Sequence, residues 1–503
     1  MIIKITNRLI DKYPLVVLLF GVLLYTSSLN IWASGDDFST ILFKTIDSNE
    51  RWEIFQASSF SFRPIENLIN AIDAEIDGFD STIFTHIVCL MGFVISTFLV
   101  FLITKHIYPK NIIPPFICSL IFVVMPNNVM AVIQVDAISQ QYATVFSLFS
   151  FWWLLTKNPF KGISYFIIYG LFLFNALLSK ETSLGIAIVM ALSAFLIRFD
   201  YYELKSDKIK KILISTYVAT ALVILSYFFL RFIFGAEFSG SGQYHINFSL
   251  LNILKNSILL MGATIYTGST LDFFPSPNFF KISISMVFFF GTIWIFFPFI
   301  RTFIHTKRRK ISLENILDSK LASAFFSISL IIIFSLIPVI LIGKVSELYT
   351  YSSNPYYSIL IGLLLYNGLS HHEEKIAQLP KQLKRIFIFS YIIWLGIGTQ
   401  EKISLAVSTS NRTRQYFDTI INQCIDQPKN EISIYLSKNV STNVKKNYSI
   451  LYFSDMSILK SFSPLISKLS NKNINYFISE SDSSVCDYRV YKDAEILRVS
   501  EIL

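Results

Sequence analysis

Residues 13–37 read YPLVVLLFGVLLYTSSLNIWASGDD, a long apolar run that ends in two acids. Its mostly apolar part supplies about 20 positions, enough to cross the hydrocarbon core of a bilayer as one helix. Two adjacent acids, Asp36 and Asp37, follow at the far end of this run. A charge at the rim of a span either marks where the helix leaves the bilayer or serves a functional site, and residues elsewhere in the chain must decide between the two.

The whole chain has the composition of a polytopic membrane protein. Of its 503 residues, 53% are hydrophobic, only 15% are charged, and the mean hydropathy is +0.53. Charged residues make up about a quarter of an average soluble protein. The net charge of +9 comes from short basic clusters between apolar runs, a pattern typical of cytoplasmic loops. We therefore expect the lipid bilayer, and not nucleic acid, as a partner.

Apolar windows and their basic flanks predict about eleven membrane spans. The predicted spans are 14–33, 84–104, 111–133, 137–156, 162–179, 183–198, 211–234, 280–301, 321–343, 355–369 and 386–405. Basic residues precede the first span, so the N-terminus is expected in the cytoplasm, and an odd number of spans then puts the C-terminus on the outer side. Residues 250–270 are predicted as a helix at the outer interface, because a crossing there would place the basic residues 301–310 on the wrong side.

Two domains are predicted. Residues 1–405 form a transmembrane domain whose outer loops, 34–83 and 235–279, are long, and residues 406–503 form a small extracytoplasmic α/β domain. The fold class is thus an α-helical polytopic membrane protein with a C-terminal α/β domain. Short strands are predicted in the tail at Glu431 to Leu436, Ser449 to Phe453 and Asn475 to Ile478.

Polar residues that could carry chemistry collect on the predicted outer side. Besides the acid pair they are Arg63, His86, Asp136, Gln141, Lys180, Glu181, Arg231, Tyr244, Lys344, Glu347, Tyr349 and Tyr351. Each has a structural alternative: Lys180 and Glu181 can pair with each other in a turn, and Arg231 can snorkel. Taken together, carboxylates, an imidazole, amides and guanidinium groups on one face are what acid–base chemistry on an anionic substrate requires.

The order of several short motifs resembles that of the C-type glycosyltransferase superfamily (GT-C), and in particular its protein O-mannosyltransferase-like branch. These motifs are the acid pair, Phe62-Arg63-Pro64-Ile65, Phe84-Thr85-His86-Ile87, Leu177-Leu178-Ser179-Lys180-Glu181, Glu347-Leu348-Tyr349-Thr350-Tyr351 and Asn411-Arg412-Thr413-Arg414. The Lys-Glu element is the closest match. The chain departs from the family where an Arg-x-Asp element often leads into the fourth span, because it has Ser139-Gln140-Gln141 there, with Asp136 slightly earlier.

The resemblance implies an inverting sugar transfer, at the outer membrane face, from a polyprenyl-phosphate donor to a hydroxyl of a glycan acceptor. Asp37 is the expected base, with Asp36 positioning the acceptor or capping the following helix. Binding of the donor phosphate is expected from Lys180, Arg63, Arg231 and Lys344. Glu181 is expected to hold Lys180, and the remaining candidates should line the sugar pocket or contact the acceptor: His86, Asp136, Gln141, Tyr244, Glu347, Tyr349 and Tyr351. No cofactor is expected, although the acids and His86 offer a weak divalent-metal alternative.

The four cysteines fall into two pairs. Cys89 and Cys118 lie in apolar runs and are expected to pack there as thiols. Cys424 and Cys486 lie in the predicted extracytoplasmic domain, an oxidising compartment, and are expected to form a disulfide.

A composition rich in Ile, Lys and Asn suggests a bacterial source, and hence the inner membrane and undecaprenyl phosphate as the carrier. The expected acceptor is a surface polysaccharide such as O-antigen, and a secreted protein or lipid A are the other acceptors that stay open. Two alternatives stay open. An O-antigen ligase or polymerase would transfer a whole oligosaccharide from a diphosphate carrier. A lipid-glycan flippase or transporter would place its ionisable groups near the bilayer midplane, often in repeated halves. The early acid pair and the Lys-Glu element favour the transfer of a single sugar.

Overall fold

The computed structural model describes most of the predicted membrane domain and part of the tail. The described residues are 13–33, 37–44, 52–57, 61–77, 81–160, 162–199, 203, 206–237, 245–265, 279–308, 320–343, 346–370, 381–425, 431–436, 465, 473–477, 488–493 and 496–501. Three site candidates, Asp36, Tyr244 and Lys344, lie outside these ranges.

The described part of the membrane domain is helical. Its helices are α1 (Tyr13–Tyr25), α2 (Asp37–Lys44), α3 (Pro64–Asp77), α4 (Ile83–Ile107), α5 (Ile113–Val124), α6 (Val129–Ile133), α7 (Ile138–Thr156), α8 (Ile163–Ser179), α9 (Ser183–Arg198), α10 (Asp207–Ile233), α11 (Leu250–Ile265), α12 (Phe279–Arg308), α13 (Lys320–Ile340), α14 (Asn354–Ser370) and α15 (Lys381–Ile425). Short 3₁₀ turns occupy Thr26–Asn30, Pro126–Asn128, Val135–Ala137 and Glu347–Thr350.

Every predicted span coincides with described helix, and the apolar stretch from residue 250 is helical as α11. By length and hydropathy alone, four helices among the described residues could each cross a membrane, or five spans if one bent pair counts as one. Further apolar helices, including α8 and α9, are shorter. The protein is therefore a multi-pass membrane protein, while the number of about eleven spans stays a prediction.

The span predicted at 111–133 is not one straight helix. α5 ends at Val124, Met125 is extended, and a 3₁₀ turn beginning at Pro126 leads into α6, with a bend of 55° between the two parts. Proline has no N–H for the helix and disfavours helical conformation in the residue before it, which explains the break. The predicted single helix is therefore corrected to two helical segments with a bend between them, which is the geometry of a broken span or of a re-entrant loop.

α15 is much longer than its predicted span. It has 45 residues, about 67 Å at the usual rise, against a hydrocarbon core of about 30 Å. Thr399 near its middle donates a hydrogen bond to the carbonyl oxygen of Val124 at 2.7 Å, at the break after α5. The helix continues without interruption past residue 406, where the second domain was predicted to begin.

The large buried cluster of the membrane domain draws residues from α1, α4 to α9 and α13 to α15. Fully buried rings from different helices meet there, including Phe93, Phe122 and Phe151. Close helix contact beside this core depends on a missing side chain: a Cβ on Gly185 of α9 would collide with the carbonyl oxygen of Phe334 in α13.

The described part of the tail forms a mixed four-stranded sheet of β1 (Glu431–Leu436), β2 (Asn473–Phe477), β3 (Tyr488–Asp493) and β4 (Ile496–Glu501), in the order β2-β1-β3-β4. β1 pairs in parallel with β2 and β3, whereas β3 and β4 are antiparallel. β1 has the predicted bounds and β2 overlaps the predicted strand at 475–478. The strand predicted at 449–453 lies outside the described residues.

Candidate active site

Of the two adjacent acids, Asp37 lies within the described residues, and it begins α2. It is 1% exposed. The backbone N–H of Asp136, in the turn that follows α6, donates a hydrogen bond of 3.1 Å to Asp37 Oδ1. A helix N-terminus also stabilises a negative charge on its first turn. Asp37 is therefore a fixed carboxylate shielded from bulk water.

A buried ion pair fixes the other end of α2. Lys44 Nζ lies 2.7 Å from Asp73 Oδ2 of α3, with both side chains 0% exposed. Lys44 also donates to the carbonyl oxygen of Ser81 at 2.6 Å, and the Thr85 hydroxyl of α4 donates to Asp73 at 2.5 Å. Burial raises the pKa of Asp73, while Lys44 and Thr85 oppose that shift. The short helix carrying Asp37 is thus anchored to α3 and α4.

Arg63 is held by two carboxylates. Its Nη2 donates to Glu181 Oε1 at 3.1 Å and its Nε to Glu181 Oε2 at 3.4 Å, while Nη1 lies 3.5 Å from Glu66 Oε2. Burial opposes the charge of Arg63, but Glu181 and Glu66 outweigh it and raise its pKa above the ordinary value. Burial likewise would raise the pKa of Glu181, yet Arg63 and then Lys180 lower it to about 2. Both groups are charged at neutral pH.

The expected partner of Glu181 differs from the observed one. Glu181 forms its ion pair with Arg63, 118 residues away along the chain, and not with the neighbouring Lys180. Lys180 is in an extended backbone conformation at the end of α8, and Glu181 begins the turn that leads into α9. The two charges of the Lys-Glu element therefore serve different neighbours.

Lys180 is 5% exposed and has no carboxylate within ion-pairing distance among the described residues. Its Nζ lies 5.8 Å from the ring centre of Tyr349, a cation–π contact. Burial, and then the charge of Arg63, lower the pKa of Lys180 to about 8, against the opposing pull of Glu181, Glu66 and Asp136. A nearly buried ammonium group of this kind can bind an anion.

Arg231, near the end of α10, is linked to the segment that carries Arg63 through Tyr227. Its Nη1 donates to the Tyr227 hydroxyl at 3.2 Å, and its Nη2 to the carbonyl oxygen of Glu237. The Tyr227 ring lies 6.2 Å from that of Phe62, which directly precedes Arg63. The guanidinium groups of Arg63 and Arg231 are thereby brought to one side of the membrane domain.

The residues of the motif Glu347-Leu348-Tyr349-Thr350-Tyr351 have different partners. Both Oε atoms of Glu347 accept hydrogen bonds from Lys402 of α15 at 3.0 Å, and the two side chains are 3% and 1% exposed. The Tyr351 hydroxyl donates to Gln141 Oε1 at 2.7 Å, and both residues are fully buried. Glu347, Tyr351 and Gln141 therefore bond inside the protein, while Tyr349 contacts Lys180.

The remaining candidates differ in how closely they join the site. Asp136 is part of it, because its backbone bonds Asp37 and its charge acts on Arg63 and Lys180. His86 is fully buried on the first turn of α4.

Two further predictions concern cysteines and metals. Cys89 and Cys118 are buried free thiols. The predicted bond between Cys424 and Cys486 falls on side chains outside the described structure. Within the described ranges, no three His, Cys, Asp or Glu side chains are grouped as a metal ion would need.

The contacts that organise the site include residues that the sequence analysis did not select. Lys402 is one, although a lysine within a predicted span is by itself a signal of a functional or paired charge. Lys44 and Asp73 are others, and each lies in an amphipathic helix of the loop predicted at 34–83, where a solvated charge is ordinary. Their partners are distant in sequence, so no local pattern identifies them.

No protein-family model matches the sequence, and no curated protein matches it. Two solved structures of ArnT from Cupriavidus metallidurans are similar to this chain. The one bound to undecaprenyl phosphate is 11% identical, with a TM-score of 0.48 over 98% of this chain and 97% of that chain. The apo state is 9% identical, with a TM-score of 0.49 over 99% of this chain and 98% of that chain. A likeness at this level assigns neither a ligand nor an activity.

Proposed function

We propose that this protein is a membrane glycosyltransferase that moves a sugar from a polyprenyl-phosphate donor to an acceptor hydroxyl at the outer face of the inner membrane, with inversion at the anomeric carbon. One observation carries the proposal. A buried carboxylate, Asp37, is bonded to the backbone of Asp136, whose charge acts on Lys180, a buried cation with no ion-pairing carboxylate among the described residues. A base and an anion site in one patch suit a transfer in which phosphate leaves.

The proposed reaction needs one base and one displacement. Asp37 takes the proton of the acceptor hydroxyl as its oxygen attacks the anomeric carbon. The bond from that carbon to the donor phosphate oxygen breaks, and its electron pair stays on the polyprenyl phosphate. Attack from the face opposite the leaving group gives inversion. A positioned general base of this kind contributes about 10²–10⁴ in rate.

The departing phosphate gains negative charge, and Lys180 is the best-placed described group to stabilise it. The charge of Arg63 is already balanced by Glu181 and Glu66. Arg63 is therefore a weaker attractor of an anion than Lys180. Arg231 and Lys344 complete the proposed set of cations, and Tyr349 covers one side of the Lys180 ammonium group. Fixed donors in a water-poor site act on developing charge without the cost of reorganising solvent.

The sugar pocket and acceptor site are proposed from the other candidates. Asp136 bonds the base through its backbone and acts on the cations through its charge, and His86 and Tyr244 remain proposed contacts. We propose undecaprenyl phosphate as the carrier and a surface polysaccharide such as O-antigen as the acceptor, because the motif resemblance and the bacterial type of composition favour them. Asp36 is proposed to position the acceptor, and no metal is proposed.

The test is donor choice by the purified full-length protein in detergent. Synthetic undecaprenyl-phosphate monosaccharides are offered beside an undecaprenyl-diphosphate oligosaccharide, each with a panel of glycan acceptors, and free undecaprenyl phosphate and the glycosylated product are measured by mass spectrometry. We expect release and product only from the monophosphate donor. Transfer from the diphosphate oligosaccharide alone would instead assign a ligase or polymerase and would overturn the proposal.

A further inference from the structure

The buried ion pair between Lys402 and Glu347 links the long helix α15 to the loop beside the anion site. The pair is bidentate, with both oxygens of Glu347 at 3.0 Å from one ammonium group. Replacing a buried ion pair with apolar side chains of similar size often leaves a protein equally or more stable. Stability alone therefore does not account for the pair, and its geometry is the more informative property.

That geometry fixes the 3₁₀ turn Glu347–Thr350. Glu347 is the first residue of the turn, and the preceding Ser346 accepts a hydrogen bond from the N–H of Leu348 at 3.3 Å. Tyr349, two residues beyond Glu347, places its ring 5.8 Å from Lys180 Nζ. A shift of Glu347 would move the tyrosine ring that covers this cation.

The same helix also holds the segment before the acid pair. Ser410 accepts a hydrogen bond from the backbone N–H of Trp32 at 2.7 Å, and the guanidinium of Arg414 lies 4.5 Å from the centre of the Trp32 ring. Ser410 follows Lys402 by eight residues, about 12 Å along a helix. One rigid element thus contacts both the loop beside Lys180 and the chain that leads to Asp37.

We propose that Lys402 is a positioning residue of the donor-phosphate site: through Glu347 it holds Tyr349 against Lys180 and so sets the place of the phosphate-binding ammonium group. The identity of the ligand rests on the proposed function, whereas the positioning itself does not. A displacement of about 1 Å in such a site costs about a hundredfold in rate.

The kinetic test uses Lys402→Met, which keeps the length of the side chain and removes its charge. We expect the donor kcat/KM to fall about tenfold to a hundredfold with the acceptor KM unchanged. Glu401→Gln is the matched control, because the neighbouring Glu401 pairs with Lys281 on a more exposed surface, and it should keep wild-type kinetics. In a Lys180→Met background, Lys402→Met should add less than about threefold, because both changes remove one function. An equal further loss in that background would overturn the proposal.

A second variant covers the case in which Lys402→Met folds poorly. The pair Lys402→Met with Glu347→Leu fills the same space with apolar groups and should regain thermal stability, while its donor kcat/KM stays low. Wild-type donor kinetics in this stable double variant would refute a positioning role.

A readout without any substrate separates this inference from the proposed function. Hydrogen exchange of the purified protein should speed up at 346–353 and also at 177–183 in Lys402→Met, and not in Glu401→Gln. Faster exchange confined to 346–353 would show that the pair does not act on Lys180. If exchange changes as expected in both segments but no polyprenyl-phosphate sugar is used, the positioning holds and the proposed function fails.

Discussion

The backbone N–H of Asp136 donates to Asp37 Oδ1 at 3.1 Å across 99 residues of sequence. This single bond joins the start of α2 to the turn after the bent helix pair α5 and α6. The carboxylate of Asp136 opposes the lowering of the pKa of Lys180, so the same residue connects the candidate base with the candidate phosphate site. Asp37, the described acid at the end of the first predicted span, therefore has defined neighbours.

The first prediction concerns the charge of Lys180. Lys180→Met should lower the donor kcat/KM by about 10²-fold, because it removes a fixed cation beside the developing negative charge. Lys180→Arg keeps the charge and should retain more of the activity. Steady-state kinetics with varied donor concentration measure both. Equal activity of Lys180→Met and wild type would exclude a phosphate role for this residue.

The second prediction concerns pH. Burial and Arg63 lower the pKa of Lys180 to about 8, and an anionic phosphate binds the protonated form. The phosphate itself is fully dianionic only above about pH 7, because its second pKa is about 6. Affinity for undecaprenyl phosphate should therefore be highest between about pH 7 and the pKa of Lys180, and it should fall by up to about tenfold per pH unit above pH 8. In Lys180→Arg the affinity should stay flat from about pH 7 to about pH 10, because guanidinium remains charged. A pH-independent affinity in the wild type, measured by equilibrium binding in detergent, would contradict the assignment.

The third prediction concerns the anchor of α2. Lys44→Met leaves the Asp73 carboxylate buried without its partner and should lower the free energy of unfolding by about 3–5 kcal/mol. Lys44→Met combined with Asp73→Leu should recover most of that loss. Thermal unfolding in detergent measures both variants. A double variant as unstable as the single one would mean that the other hydrogen bonds of this network, and not the unpaired charge, dominate.

The fourth prediction concerns the tail. If the C-terminal segment lies in an oxidising outer compartment, Cys424 and Cys486 should be joined and resist alkylation until a reductant is added. The buried thiols Cys89 and Cys118 should react only after denaturation. Mass spectrometry of peptides from non-reduced cells reads out all four. Alkylation of both tail cysteines without reductant would show that they are not joined, as expected if the tail lies in the cytoplasm.

The helices were predictable because long apolar runs with basic flanks leave few alternatives. The break at Pro126 was harder to predict. A proline is visible there, but the sequence stays apolar through α6, which favours a single span. The continuation of α15 beyond residue 405 was not predicted. This part of the helix is polar, and its sequence pattern does not distinguish one long helix from a loop with short helices.

The composition of the candidate site was partly predictable, and its pairing was not. Short motifs selected Asp37, Arg63, Lys180 and Glu181. Which carboxylate meets which cation depends on contacts such as that between Arg63 and Glu181, 118 residues apart. Lys402 illustrates the same limit, because its partner Glu347 belongs to a motif that was interpreted as part of a sugar pocket.

The role of Asp37 as the base is tested by sugar transfer from undecaprenyl-phosphate monosaccharides in membranes containing wild type, Asp37→Asn or Glu75→Gln. Glu75 is an exposed acid of α3 in the same predicted outer loop, so its variant controls for the loss of an acidic charge elsewhere in that loop. We expect transfer by wild type and Glu75→Gln, and a loss of about 10²–10⁴ in Asp37→Asn at equal protein level. Transfer by Asp37→Asn at the wild-type rate would exclude Asp37 as the general base.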